Sequence, residues 1–220
     1  MPIKTIDATA SLDACWRETT FSAAMLTDPD AGTVGALLAP FEARIDSLRS
    51  AQRSKWRDEI VADAKVAQAD RALDVLTTKL SNELLHLDGG NRETPRFKLY
   101  FKKAPSEVVR LALGAQIVAS QSWPSALASE SEPSLKSLAT DFTNALAAGK
   151  AALDARAAAQ IATATHRARE LVPFVDDLNA ARQSVYGQLT TIAGQTRKPR
   201  GWAESFFLRS SSGDEAPTPA

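Results

Sequence analysis

The chain of 220 residues is 44% hydrophobic and 24% charged but only 6% aromatic, a balance that excludes collagen-like and wholly disordered proteins. Its 26 basic and 26 acidic residues cancel, so no global attraction to nucleic acid or anionic lipid is expected. The single cysteine, Cys15, excludes an intramolecular disulfide, and with no apolar signal region or membrane-spanning stretch in view we expect a cytoplasmic protein.

The first predicted element is a helix from about residue 5 to residue 26. Apolar and small side chains recur there at alternating spacings of four and three, which is typical of one buried stripe. These residues are Leu12, Trp16, Thr19, Ala23 and Leu26. A turn over 28–32, with proline and glycine, ends the helix.

A long helix follows over 41–87 and ends where Gly89 and Gly90 supply a stop signal. Its predicted inward stripe begins at Phe41 and ends at Leu87. Between them the stripe contains Ile45, Leu48, Gln52, Trp56, Ile60, Ala64, Ala67, Leu73, Leu76, Leu80 and Leu84.

Residues 91–133 form a predicted cap at the end of this helix. Within it, residues 96–101 alternate, with Phe97, Leu99 and Phe101 on one side and Arg96, Lys98 and Tyr100 on the other. This pattern indicates an extended segment lying across helices. A helix is expected from Pro105 to about Ser122, where Trp123 and Pro124 break it.

A second long helix is predicted over 134–193, and Pro173 inside it should produce a kink. Its predicted inward positions include Gly149, Ala157, Ile161 and Ala164. If the two long helices pair antiparallel, with partner numbers that sum to about 222, their alanine-rich stretches face each other and should pack closely. The predicted seam joins Ala62, Ala64, Ala67, Ala69 and Ala72 to Ala151, Ala152, Ala155, Ala157, Ala158 and Ala159.

The predicted fold is therefore all-α: an elongated helical bundle with a long antiparallel two-helix coiled-coil arm, a three-helix base and a helical cap at the hairpin end. One domain is expected over 1–200, with the cap at 91–133 as a subdomain. A short aromatic segment at 201–209 and a disordered tail at 210–220 complete the chain.

The segment from Arg92 to Lys103 carries a local charge of about +4, interleaved with aromatic rings. Three interpretations stay open: a cap whose rings cover helix ends, a protein-partner surface, or a single-stranded nucleic-acid site. Candidate binding residues are Arg96, Phe97, Lys98, Tyr100, Lys102 and Lys103.

Near the C-terminus, Trp202, Phe206 and Phe207 lie within six residues, after a basic segment that contains a proline. These rings would form an apolar patch if they were all exposed. They are predicted either to dock on the bundle base, to insert into a partner's groove, or to form a weak membrane-surface anchor.

No motif for catalysis is present, and the pair Glu83 and His86 lacks the second pair that a di-iron site needs. We therefore expect no enzyme activity, no metal and no cofactor. The predicted function is a structural or adaptor protein that acts through helix-mediated contacts with a partner or with itself. Nucleic-acid association through 92–103 is the alternative, and membrane-surface association is a weaker one.

Overall fold

The computed structural model describes residues 3–208, and this part of the chain is helical without a strand. The all-α prediction is confirmed. The helices are α1 (Leu12–Met25), α2 (Ala39–Leu87), α3 (Pro95–Tyr100), α4 (Pro105–Val109), α5 (Leu113–Ser120), α6 (Trp123–Ala128), α7 (Pro133–His166) and α8 (Val172–Thr196). Short 3-10 turns occupy Pro29–Ala31, Val34–Leu37 and Ala203–Phe206. The predicted tail at 210–220 lies outside the described residues.

The chain divides into two compact units. Unit 1 draws on Met1–Ser54 and Thr163–Ala220, and unit 2 on Lys55–Ala162. Helices α2 and α7 both run through the division, because α2 continues past Ser54 and α7 past Ala162. The range predicted as one domain therefore contains two separate cores.

The core of unit 1 joins α1, the start of α2, α8 and the C-terminal segment. The Ser11 side chain caps α1 by accepting a hydrogen bond from the Ala14 N–H at 3.1 Å. The buried face of α1 is rotated from the predicted one, since Cys15 and Ser22 are buried and Trp16 is 41% exposed. The Trp16 ring instead packs against Arg49, whose guanidinium carbon lies 5.3 Å from the ring centroid. The two side chains therefore cover each other at the surface.

A buried polar cluster on α8 fixes the N-terminal segment in unit 1. The Asn179 side chain accepts a hydrogen bond from the Ile6 N–H and donates one to the Ile6 carbonyl, both at 2.8 Å. Arg182, only 2% exposed, donates to the Lys4 carbonyl at 3.0 Å and pairs with the Glu18 carboxylate at 3.1 Å. Burial raises the pKa of Glu18 against the attraction of Arg182, so desolvation of this carboxylate outweighs that attraction.

The predicted kink at Pro173 takes the form of a π turn over Arg167–Leu171. Here the Val172 N–H donates to the Arg167 carbonyl, five residues back. Proline cannot donate a backbone hydrogen bond and its ring crowds the preceding turn. The wider π turn gives that ring room and lets α8 continue from Val172.

In unit 2, the leucine stripe of α2 packs into one core with α3–α7, and α2 ends as predicted before Gly89 and Gly90, at φ of +62° and +84°. Gly149 of α7 allows a close approach of α5, because a Cβ there would come within 2.9 Å of Ile117 Cδ1. The predicted role of Gly149 as an inward position is thus confirmed.

The predicted alanine seam is largely wrong. Of its members, Ala62, Ala69 and Ala152 are buried, whereas Ala64, Ala67, Ala72, Ala151, Ala155, Ala157 and Ala158 are exposed. Trp56, Ile60 and Ile161, which were predicted to point inward, are also exposed. The buried alanines of α2 continue the spacing of Leu73, Leu80 and Leu84. The exposed ones lie off that stripe, since a helix buries only the residues that keep its period.

Replacing Ala69 by leucine is expected to lower the free energy of unfolding by about 1–3 kcal/mol, because Ala69 is buried in the unit 2 core. The matched substitution Ala157→Leu adds the same side chain at an exposed position of α7 and should stay within about 0.5 kcal/mol of the parent. Urea unfolding followed by circular dichroism measures both. Equal effects of the two variants would contradict this assignment of the buried faces.

Candidate functional site

The segment predicted as extended, residues 96–101, is mostly helix α3 (Pro95–Tyr100). The Thr94 hydroxyl caps it by accepting from the Phe97 N–H at 3.1 Å, and Pro95 occupies the first turn. As a result Phe97 and Tyr100 are buried at a helical spacing of three, while Leu99 is turned outward and 59% exposed. The alternating pattern gave the wrong prediction of an extended segment because the capping Thr94 and Pro95 determine the local conformation.

Aromatic rings of α3 and its neighbours form the interior beneath the basic segment. Phe97 packs on Phe101 with centroids 5.2 Å apart, and Phe101 meets Trp123 edge-on at 5.1 Å. Trp123 in turn meets Tyr100 at 6.3 Å and Phe142 of α7 at 5.4 Å. Phe97 and Tyr100, predicted to contact a partner, are therefore core residues in the folded unit.

Polar groups of the same segment are also used internally. The Tyr100 hydroxyl donates to Glu130 Oε1 at 2.8 Å, and burial, followed by this hydrogen bond, raises the pKa of Tyr100. The Arg96 guanidinium lies 3.6 Å from the Glu130 carboxylate and 3.7 Å from that of Asp88. Thr94 donates to Asp88 as well. Arg96 therefore joins α3 to the end of α2 and to the loop before α7, and its charge is balanced within the unit.

The lysines of the segment differ in their partners. Lys98 pairs with Glu93 at the surface, an interaction of small energy. Lys102 and Lys103 are exposed, and within residues 3–208 neither has a carboxylate at ion-pair distance. Like the exposed Arg92, for which no ion pair is found in this part of the chain either, these two are therefore available to an anionic ligand.

Two grooves of unit 2 meet at these lysines. The first groove has a volume of about 500 Å³ and the second about 470 Å³, and Lys102 and Lys103 line both. The first has a mixed lining. Its apolar and aromatic side chains are Leu99, Tyr100, Val108, Leu111, Val118, Ala119 and Trp123, and its polar ones are the two lysines, Glu107, Gln121 and Ser122. The second is bordered by Arg92, Glu93 and Lys98. We name the first the cap groove and the lysine pair the cationic ridge.

The electrostatic balance around the two grooves is positive. Their linings contain four basic side chains, of Arg92, Lys98 and the cationic ridge, against the carboxylates of Glu93 and Glu107. Glu93 is paired with Lys98, so Glu107 is the acidic group that opposes the ridge. The arrangement attracts negative charge to a groove that also exposes apolar side chains.

The C-terminal aromatic segment lies in unit 1. Phe206 and Phe207 are buried, Trp202 is half-buried, and the Trp202 and Phe206 rings meet edge-on at 4.9 Å. The Arg182 guanidinium lies 5.5 Å from the centroid of Phe207. Phe206 and Phe207 complete the core of their own unit, as the prediction that the segment docks on the bundle describes. Partner binding by the segment stays a prediction.

Cys15 is fully buried on α1, and burial raises the pKa of its thiol. We expect a thiol reagent to modify native Cys15 much more slowly than the unfolded chain at the same pH, because a protonated, inaccessible sulfur reacts slowly. The comparison is made with and without denaturant. Native labelling as fast as unfolded labelling would mean that α1 is not packed as described.

Within residues 3–208, no group of three or more histidine, cysteine, aspartate or glutamate side chains lies together as a set of metal ligands. Among the helices of this part of the chain, none combines the length and the apolar character needed to span a membrane.

The sequence predicts the basic residues of the cationic ridge but not the groove beside it. The alternation over 96–101 places Leu99 on one side with Phe97 and Phe101, yet Leu99 is exposed. In the helix predicted after Pro105, Val118 or Ala119 faces inward, yet both are exposed, Val118 to 64%. The sequence of α5 does contain a warning against an inward Val118, because Gln116, Ile117 and Val118 are consecutive in a helix and cannot all face the same side. Leu99 and Val118 both line the cap groove.

The sequence matched no protein-family model and no curated protein, and the structure matched no solved structure.

Proposed function

We propose that the protein is a non-enzymatic adaptor or structural protein that binds another protein through the cap groove of unit 2. The observation that carries the proposal is the combination of exposed Leu99 and Val118 with an uncompensated lysine pair on one groove. Exposed apolar side chains that cluster in a concave surface are typical of interaction sites. The single cysteine of the chain supports action in the cytoplasm.

Association with single-stranded nucleic acid is the second candidate function. The cationic ridge favours it, since phosphates bind lysines that have no competing carboxylate. Against it, the Phe97 and Tyr100 rings that would stack on bases are buried in the core. The protein-binding proposal uses the groove as it is, without moving these rings.

Site-specific crosslinking tests the proposal. A photoreactive phenylalanine analogue replaces Val118 in the full chain expressed in its host, and the matched control places it at Thr78, an exposed position of α2 in the same unit. We expect an adduct with a protein from position 118 that position 78 does not give. The captured protein is identified, purified and titrated against the parent chain and Val118→Asp, which should bind it at least tenfold more weakly.

Two outcomes would contradict the proposal. Either positions 118 and 78 give the same adducts, or the purified candidate binds Val118→Asp as tightly as the parent. The nucleic-acid candidate is measured separately with a fluorescent 20-nucleotide oligo-dT over a range of salt concentrations. Binding by phosphate contacts weakens steeply with salt and should be lost in a Lys102→Glu/Lys103→Glu variant.

A further inference from the structure

We infer that the ligand of the cap groove is a short peptide segment of the partner protein in which carboxylates stand beside apolar side chains. This inference rests on the proposed function and names the chemistry of the partner at that same site. It follows from the size, the lining and the charge of the groove, taken in turn.

The size of the groove favours a segment over a folded surface. A volume of about 500 Å³ holds a few side chains, which is the scale of a small-ligand or peptide site. Short helices α3, α4 and α5 and the first turn of α6 supply its lining. A linear segment can place its side chains between these elements, whereas a flat protein surface would leave the groove unfilled.

The exposed apolar side chains of the lining favour apolar anchors on the ligand. Of the lining residues, Val108 and Trp123 are buried, whereas Leu99 and Val118 are exposed. Burying these two exposed side chains against a leucine, isoleucine or phenylalanine removes apolar surface of both molecules from water. An entirely charged peptide would forgo this contribution.

The charge of the ridge selects carboxylates next to those anchors. Lys102 and Lys103 have no ion-pair partner within residues 3–208, and the ridge borders the cap groove on one side and the groove of Arg92 on the other. Lysine ammonium groups on flexible stems can follow a carboxylate without a fixed bidentate geometry. Glu107, on the same lining, repels a ligand carboxylate placed beside it.

The probe for this inference is a displayed library of random 12-residue peptides, selected on the full chain at low salt. We expect the selected peptides to be enriched in Asp and Glu next to Leu, Ile or Phe. Synthetic copies should bind Lys102→Glu/Lys103→Glu and Leu99→Ser/Val118→Ser at least tenfold more weakly than the parent. The control Arg71→Glu/Lys79→Glu makes the same change of net charge at exposed positions of α2 in unit 2 and should bind within twofold of the parent.

Thermal melts confirm that each variant is folded, and Lys102→Gln/Lys103→Gln replaces the charge reversal if that variant unfolds. The inference is overturned if no acidic preference emerges, or if the ridge and control variants lose affinity equally. It is likewise overturned if oligo-dT competes for the ridge while no peptide does. Should the crosslink from position 118 succeed while acidic peptides fail to bind, the proposed function stands and this assignment of its ligand fails.

Discussion

Replacing Arg182 by methionine is expected to lower the free energy of unfolding of unit 1 by about 3 kcal/mol, a larger effect than a typical single substitution. Arg182 is 2% exposed. Its guanidinium donates to the Lys4 carbonyl, pairs with the Glu18 carboxylate and lies against the ring of Phe207. Methionine fills part of the volume but leaves the Glu18 carboxylate without its cation and the Lys4 carbonyl without its donor. A buried polar group that has lost its partner costs more free energy than the net stabilisation that its hydrogen bond provided.

Cys15 supplies a reporter that is specific to unit 1. Because it is the single thiol of the chain and is buried there, pulsed thiol labelling over a urea series follows the unfolding of this unit alone. The exposed Arg53→Met is the matched control, with an expected change within about 0.5 kcal/mol. In the cycle with Glu18→Leu, the double variant should be less destabilised than the sum of the single variants by about 0.5–3 kcal/mol. Strict additivity would show that the two side chains do not act as a pair.

Replacing Phe206 by alanine should likewise destabilise unit 1, by about 3–5 kcal/mol. Its ring is 1% exposed and packs against Trp202 in the core that α1 and α8 share. The conservative Phe206→Leu keeps most of the apolar volume and should cost distinctly less. Deleting residues 201–220, which removes Phe206 and Phe207 together, should lower the midpoint of the labelling transition further than either substitution.

The same deletion decides between the two roles of the C-terminal segment. If unit 1 keeps its stability and the protein instead loses a partner or an oligomeric state, the segment is a docking element and not a part of the core. A falling midpoint with unchanged assembly is the result that the burial of Phe206 and Phe207 leads us to expect.

The end of α2 and the disruption of the helix before Pro173 were predictable because their signals are local. Gly89 and Gly90 adopt positive φ angles, and a π turn precedes Pro173. The predicted helix from Pro105 to about Ser122 is instead divided into α4 and α5, and Trp123, predicted to break it, begins α6. The alanine seam failed for the opposite reason: an alanine suits a buried face and an exposed one equally, so a cluster of alanines does not fix the rotation of a helix. Leucine spacing over 73–84 was the better guide.

The parts of the two units that were missed depend on residues far apart in sequence. Arg182 and Lys4 are separated by 178 residues, and an arginine in a helix gives no sign that it will be buried. The cap groove needs Leu99 and Val118 on different helices to face one cavity. Periodicity within either helix cannot show that the two meet.

The division of unit 1 between two separate stretches of the chain sets the order in which the two units can fold during synthesis. Residues 3–54 leave the ribosome before unit 2, yet α8 and the segment after it, which complete their core, follow only after residue 171. Unit 2 is contiguous and can fold as soon as Ala162 has emerged. At about 5–20 residues per second, the apolar residues of 3–54 remain exposed for several seconds or longer. These residues are thus made before unit 2 but buried after it, and in that interval a chaperone has access to them.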